Sequence, residues 1–150
     1  MEYFNIFGLV FISLMLILNI IFALKCKDGF KNNWNNRSVE IIEQIGRFGC
    51  IFFMVINIPH TYFGWFSDEI FSIYIIVNTI LVILYFVFWI ICYKQNSIFR
   101  ALVLSIIPSI IFLFSGALSR SIPLIISALL FAPTHILISY KNAKLIKISF

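Results

Sequence analysis

Charge is scarce in this 150-residue chain: 11% of residues are Asp, Glu, Lys or Arg, against 62% apolar. Soluble domains average ~25% charged, so a mean hydropathy of +1.05 excludes an ordinary water-soluble domain. Acid is scarcer than base, with six carboxylates against eleven Lys and Arg. Outside the apolar blocks there is no basic, aromatic-rich patch of the kind single-stranded nucleic acid needs, and no nucleic-acid partner is expected. The two histidines and three cysteines follow no zinc-ligand spacing, so neither a metal nor another cofactor is expected. Glycine is sparse, and no Gly-rich turn precedes a basic residue as a phosphate loop requires. Nor does the chain repeat internally, which counts against an inverted-repeat transporter within one chain.

What the chain has instead is five long apolar blocks, at 3–24, 45–65, 70–93, 98–118 and 121–140. Each is close to the ~20 residues a helix needs to cross ~30 Å of hydrocarbon. Spanning barrels alternate polar and apolar positions, whereas Ile70–Tyr93 is nearly continuous in apolar residues, so helices are expected. The fold class is therefore all-α: one polytopic transmembrane helix bundle of five spans filling residues 1–150. The first block exceeds a signal-peptide core and lacks a small-residue cleavage site, so it reads as an uncleaved helix. Pro108, Pro123 and Pro133 are expected to kink the fourth and fifth helices, with Ser105, Ser127 and Thr134 placed to satisfy freed carbonyls.

Basic residues orient the bundle. Lys25, Lys27, Lys31, Arg37, Arg47, Lys94, Arg100, Lys141, Lys144 and Lys147 fall on one side of the five blocks, and Arg120 alone on the other. The positive-inside rule then places the N-terminus outside and the C-terminus in the cytoplasm. Lys25, Lys27, Lys31, Lys141, Lys144 and Lys147 are expected to meet anionic lipid head groups. A plasma membrane, the inner membrane of a bacterium, is the expected location. Cys26, Cys50 and Cys92 lie in the cytoplasmic half, where reducing conditions keep thiols free. Trp65, Tyr62, Trp89, Tyr93 and Tyr140 fall near the proposed interfaces, where amphipathic aromatics concentrate.

The one stretch that mixes charge with apolar residues begins the second helix. Ser38 is its expected N-cap and Glu40 its first-turn anion. Glu40, Glu43, Gln44 and Arg47 follow i, i+3, i+4, i+7 spacing, so all four share a face. Two readings stay open. If the span is 45–65, Arg47 is interfacial and snorkels to head groups. If Pro59 ends the span, both glutamates and Arg47 are drawn inward to line a cytoplasm-facing cavity. His135, near the inner end of the fifth helix, lies in the same leaflet and either joins that stripe or satisfies a carbonyl freed by Pro133.

On the opposite side, His60, Asp68, Glu69 and Arg120 are expected to form an outer polar rim, with Arg120 paired to one of the acids. Asn78 and Thr79 are expected to hydrogen-bond across helices. The functional expectation is a small multi-pass membrane protein that binds a small ligand, a lipid or a membrane partner through Glu40, Glu43, Gln44, Arg47 and His135. An oligomeric transporter or channel subunit is the alternative. An intramembrane enzyme using His135 with Glu43 ranks behind both, since no nucleophile–base pair is recognisable. A second copy of the chain, or another membrane protein, is the partner expected besides lipid.

Overall fold

The computed structural model describes residues 3–25, 33–92 and 97–148. Cys26, Lys27, Lys31, Tyr93 and Lys94 lie outside the described residues, as do the side chains of Lys25 and Lys147. The described residues form five helices: α1 Ile6–Lys25, α2 Arg37–Val55, α3 Asp68–Ile91, α4 Ile98–Leu118 and α5 Ile122–Ile148. Among the described residues there is no strand, and β pairing is confined to the isolated bridges Phe4–Ile56 and Tyr62–Ser121. Four stretches, Ile6–Leu24, Asp68–Ile91, Ile98–Leu118 and Ile122–Leu145, are long and apolar enough to cross a membrane. The chain is all-α, and these helices mark an integral membrane protein.

The second apolar block is where sequence and structure part. Helix α2 ends at Val55, so residues 56–65 of the expected 45–65 segment are not helical, and the helix instead begins at Arg37. The cause is local. Pro59 disfavours helical backbone at the residue before it, and His60 and Gly64 adopt positive φ of 65° and 74°. The connection is held by its neighbours: Ile56 pairs with Phe4, and the Asn57 amide donates to the Tyr3 carbonyl at 2.9 Å. At the other end Asn36, not Ser38, is the N-cap, its side chain accepting from the Val39 amide at 3.3 Å. Ser67 and Ser97 cap α3 and α4 in the same way.

The helices close a ring in the order α1, α2, α5, α4, α3, with the α2–α5 and α4–α5 contacts the most extensive. Glycines set two of the closest approaches. A Cβ on Gly46 would stand 2.6 Å from the Phe131 backbone nitrogen, and one on Gly8 would overlap the Met54 carbonyl. Real side chains do not approach so closely, so these positions admit only hydrogen. Tyr85 donates to the Asn19 side chain at 2.8 Å, tying α1 to α3, and Asn78 exchanges hydrogen bonds with Ser115, tying α3 to α4. Trp89 is core, edge-on to Phe22 at 4.8 Å.

Thr79 turns back to the Ile75 carbonyl of its own helix rather than across to another. The proline expectations change as well. Pro123 sits in the first turn of α5, where a missing donor matters least. Ser105 donates to the Ala101 and Leu102 carbonyls, and Thr134 to those of Leu130 and Phe131. Neither hydroxyl reaches the carbonyls four residues before Pro108 and Pro133.

Candidate functional site

Glu43 is the centre of the site. It faces α5 because α2 presents Glu43, Gly46, Cys50 and Met54 as one buried stripe at helical spacing. Gly46 brings the α5 backbone close at Phe131, and Gly49 lies against the Ser127 side chain. One turn further along this antiparallel pair, Glu43 meets His135. The Glu43 Oε1 lies 2.9 Å from His135 Nδ1 and accepts from Arg47 Nε at 3.1 Å and from Arg47 Nη2. The Glu43 side chain is 3% exposed, against 41% for Arg47 and 23% for His135. A carboxylate so enclosed needs both partners, because an unpaired buried charge is strongly unfavourable.

His135 is fixed from a second direction. Its ring stacks on that of Phe131 at 4.5 Å and 20°, four residues earlier on the same helix face. With the Glu43 carboxylate as acceptor, Nδ1 is the donor and Nε2 is the ring nitrogen that Glu43 does not engage. The alternative role for this histidine, capping a carbonyl freed by Pro133, is displaced by the carboxylate.

These residues open onto a cavity of about 990 Å³ lined by all five helices. Glu40, Glu43, Gln44, Arg47 and His135 all belong to its wall. Toward the lysine-bearing end of the bundle its wall carries Arg37, Ser97, Arg100 and Asn142, and toward the other end it is apolar, with Ile12, Ile51 and Phe112. From Arg37 to Ile51 the cavity follows α2 for roughly 20 Å at 1.5 Å per residue. Arg100 stands over the Phe22 ring at 4.6 Å and the Trp89 ring at 6.0 Å. The volume is at the upper end of the ~300–1,000 Å³ usual for small-molecule sites.

Asn19 and Tyr85 are wall residues that sequence reasoning did not single out, and Arg100, read from the sequence only as an orienting charge, is a third. Asn19 carried a signal, since an amide inside an otherwise apolar spanning run is expensive without a role. Asn78 and Asn57 are buried but are not on this wall; the Asn78–Ser115 pair closes on itself in the α3–α4 seam.

The outer rim differs from expectation. His60, Asp68 and Glu69 are exposed at the opposite end of the bundle. Arg120 pairs with neither acid; its Nη2 donates to the Phe63 carbonyl at 2.8 Å, and its guanidinium lies over the Phe63 and Phe66 rings at 5.7 and 5.1 Å. Asp68 and Glu69 occupy the first turn of α3, where the helix dipole already favours anions. Arg120, held at φ 50° in the α4–α5 turn, is aimed at the 56–67 connection instead.

Among the described residues, no three His, Cys, Asp or Glu side chains cluster as metal ligands. None of the cysteines or hydroxyls described is bonded to His135; Glu43 is its hydrogen-bond partner. The pair therefore has an oriented base without an attached nucleophile. No protein-family model, curated protein or solved structure gives a match to this chain.

Proposed function

We propose that this protein is a five-span bundle of the bacterial plasma membrane, N-terminus out and C-terminus in, that binds a small ligand in its inner-leaflet cavity. The observation that carries the reading is the Glu43–Arg47–His135 cluster on the wall of a 990 Å³ cavity. Apolar side chains at these positions would be cheaper to bury than a carboxylate held by two partners. The ten-to-one distribution of basic residues supports the orientation. The 19 residues of α2 reach ~28 Å, enough for a fifth span once Glu43 is neutralised by its partners.

Binding is favoured over a continuous transport path because the wall ends on Ile12, Ile51 and Phe112, while the next polar pair, Asn78 with Ser115, is sealed between helices. The test is thiol accessibility. Leu104→Cys on the cavity wall should react with a charged, membrane-impermeant thiol reagent added from the cytoplasmic side, above the wild-type background. Ile110→Cys, on an exposed apolar face of the same helix, should stay inert. Equal inertness at both positions removes the cavity reading.

A further inference from the structure

Helices α1 and α2 are tied to each other at the end where α1 begins and α2 ends. There the Asn5 amide donates to the Val55 carbonyl at 2.8 Å, Asn57 reaches Tyr3, and Gly8 lies against Met54. Toward the lysine-bearing end α1 leans on α3 instead, through Asn19–Tyr85 and Phe22–Trp89. The cavity wall includes residues from both helices. Leu16 of α1 and Ile41 and Ile45 of α2 line it while remaining 38%, 50% and 61% exposed. In the five-span reading proposed above, a slot edged by these exposed aliphatic side chains would face hydrocarbon rather than water.

The chemistry along the slot is graded. Three guanidinium groups, Arg37, Arg47 and Arg100, and two carboxylates, Glu40 and Glu43, sit on the wall toward the lysine-bearing end, an excess of one positive charge (3 − 2). Planar guanidinium forks match phosphate oxygens. Beyond them the wall turns to Met15, Ile51, Pro108 and Phe112. A polar, net-cationic head section followed by an apolar channel open to the bilayer complements a molecule with an anionic head and a hydrocarbon chain.

The geometry points to an anionic phospholipid as the ligand, entering sideways from the inner leaflet between α1 and α2, with its phosphate at Arg47 and its chain toward Phe112. This rests on the cavity being a binding site and adds the class of ligand and its route.

The experiment uses the full chain carrying Leu104→Cys, with Ser139→Cys as a second wall position, in nanodiscs of phosphatidylcholine alone or with phosphatidic acid. Phosphatidic acid should slow thiol labelling about tenfold, the equivalent of ~1.4 kcal/mol of occupancy. Inorganic phosphate added to the phosphatidylcholine nanodiscs in place of phosphatidic acid should leave the rate unchanged. Filling the slot with Leu16→Phe and Ile45→Phe together should delay the onset of protection, and Glu43→Gln with Arg47→Gln should abolish the preference for the anionic lipid. Labelling that proceeds equally with and without phosphatidic acid overturns the lipid and leaves the cavity standing. Protection by inorganic phosphate overturns the lateral route in favour of an aqueous anion. No labelling in phosphatidylcholine at either position overturns the cavity reading and this one together.

Discussion

Gly46 lies against the backbone of Phe131 at the turn of α2 next to the one where Glu43 meets His135. The closeness of two helices and the placement of a buried charge are thus one arrangement. Gly46→Ala forces a methyl into a space where the nearest backbone atom is 2.6 Å away. Overpacking of this kind destabilises by about 1–3 kcal/mol. Thermal unfolding in detergent should record the loss. Separation of α2 from α5 should also speed labelling of Leu104→Cys. A Gly46→Ala protein with unchanged stability and labelling would show that the helices do not meet there.

Arg47→Leu leaves Glu43 buried with His135 alone. Breaking a buried pair by removing one partner typically destabilises by ~3–5 kcal/mol, and the half-exposed Arg47 side chain places the expected loss nearer the lower end. Replacing both charges, Glu43→Leu with Arg47→Leu, should restore stability to the wild-type level or above, since apolar pairs substitute well for buried ions. The diagnostic is non-additivity in a double-mutant cycle followed by unfolding. Two additive losses would mean that the charges do not interact.

The helix count was legible in the sequence, because long apolar runs in lipid leave the backbone few options. So was the shared face of Glu40, Glu43, Gln44 and Arg47, which follows from helical spacing alone. The end of α2 was hidden: apolar residues continue through Trp65, and hydropathy does not register that Pro59, His60 and Gly64 turn the chain. The partner of Arg120 was hidden for a different reason. Charge pairing was expected from Asp68 and Glu69, but a backbone carbonyl at Phe63 and two aromatic faces carry no mark in a sequence. The meeting of Glu43 with His135 needed the α2–α5 register, which Gly46, Gly49, Ser127 and Phe131 determine only once the helices are known to touch.

Asn19 and Tyr85 form the polar tie between the middle of α1 and α3. Side-chain hydrogen bonds between spanning helices average about 0.6 kcal/mol in double-mutant cycles. Asn19→Leu with Tyr85→Phe should show a coupling of that order. The single Asn19→Leu change should also loosen α1 and widen the slot, accelerating protection of Leu104→Cys by phosphatidic acid. A coupling indistinguishable from zero would mean that aromatic packing at Phe22 and Trp89 holds α1 without help.

Because Arg120 is held by Phe63 rather than by an acid, the outer end should be insensitive to charge removal on α3. Asp68→Asn and Glu69→Gln, each combined with Arg120→Gln, are expected to give additive effects and no salt-dependent coupling. Arg120→Gln alone should still destabilise, by about 1–2 kcal/mol, through the lost carbonyl contact and two cation–π contacts. Unfolding midpoints at low and high ionic strength provide the check. Coupling between Arg120 and Asp68 that fades with added salt would instead restore the ion pair that the sequence led one to expect.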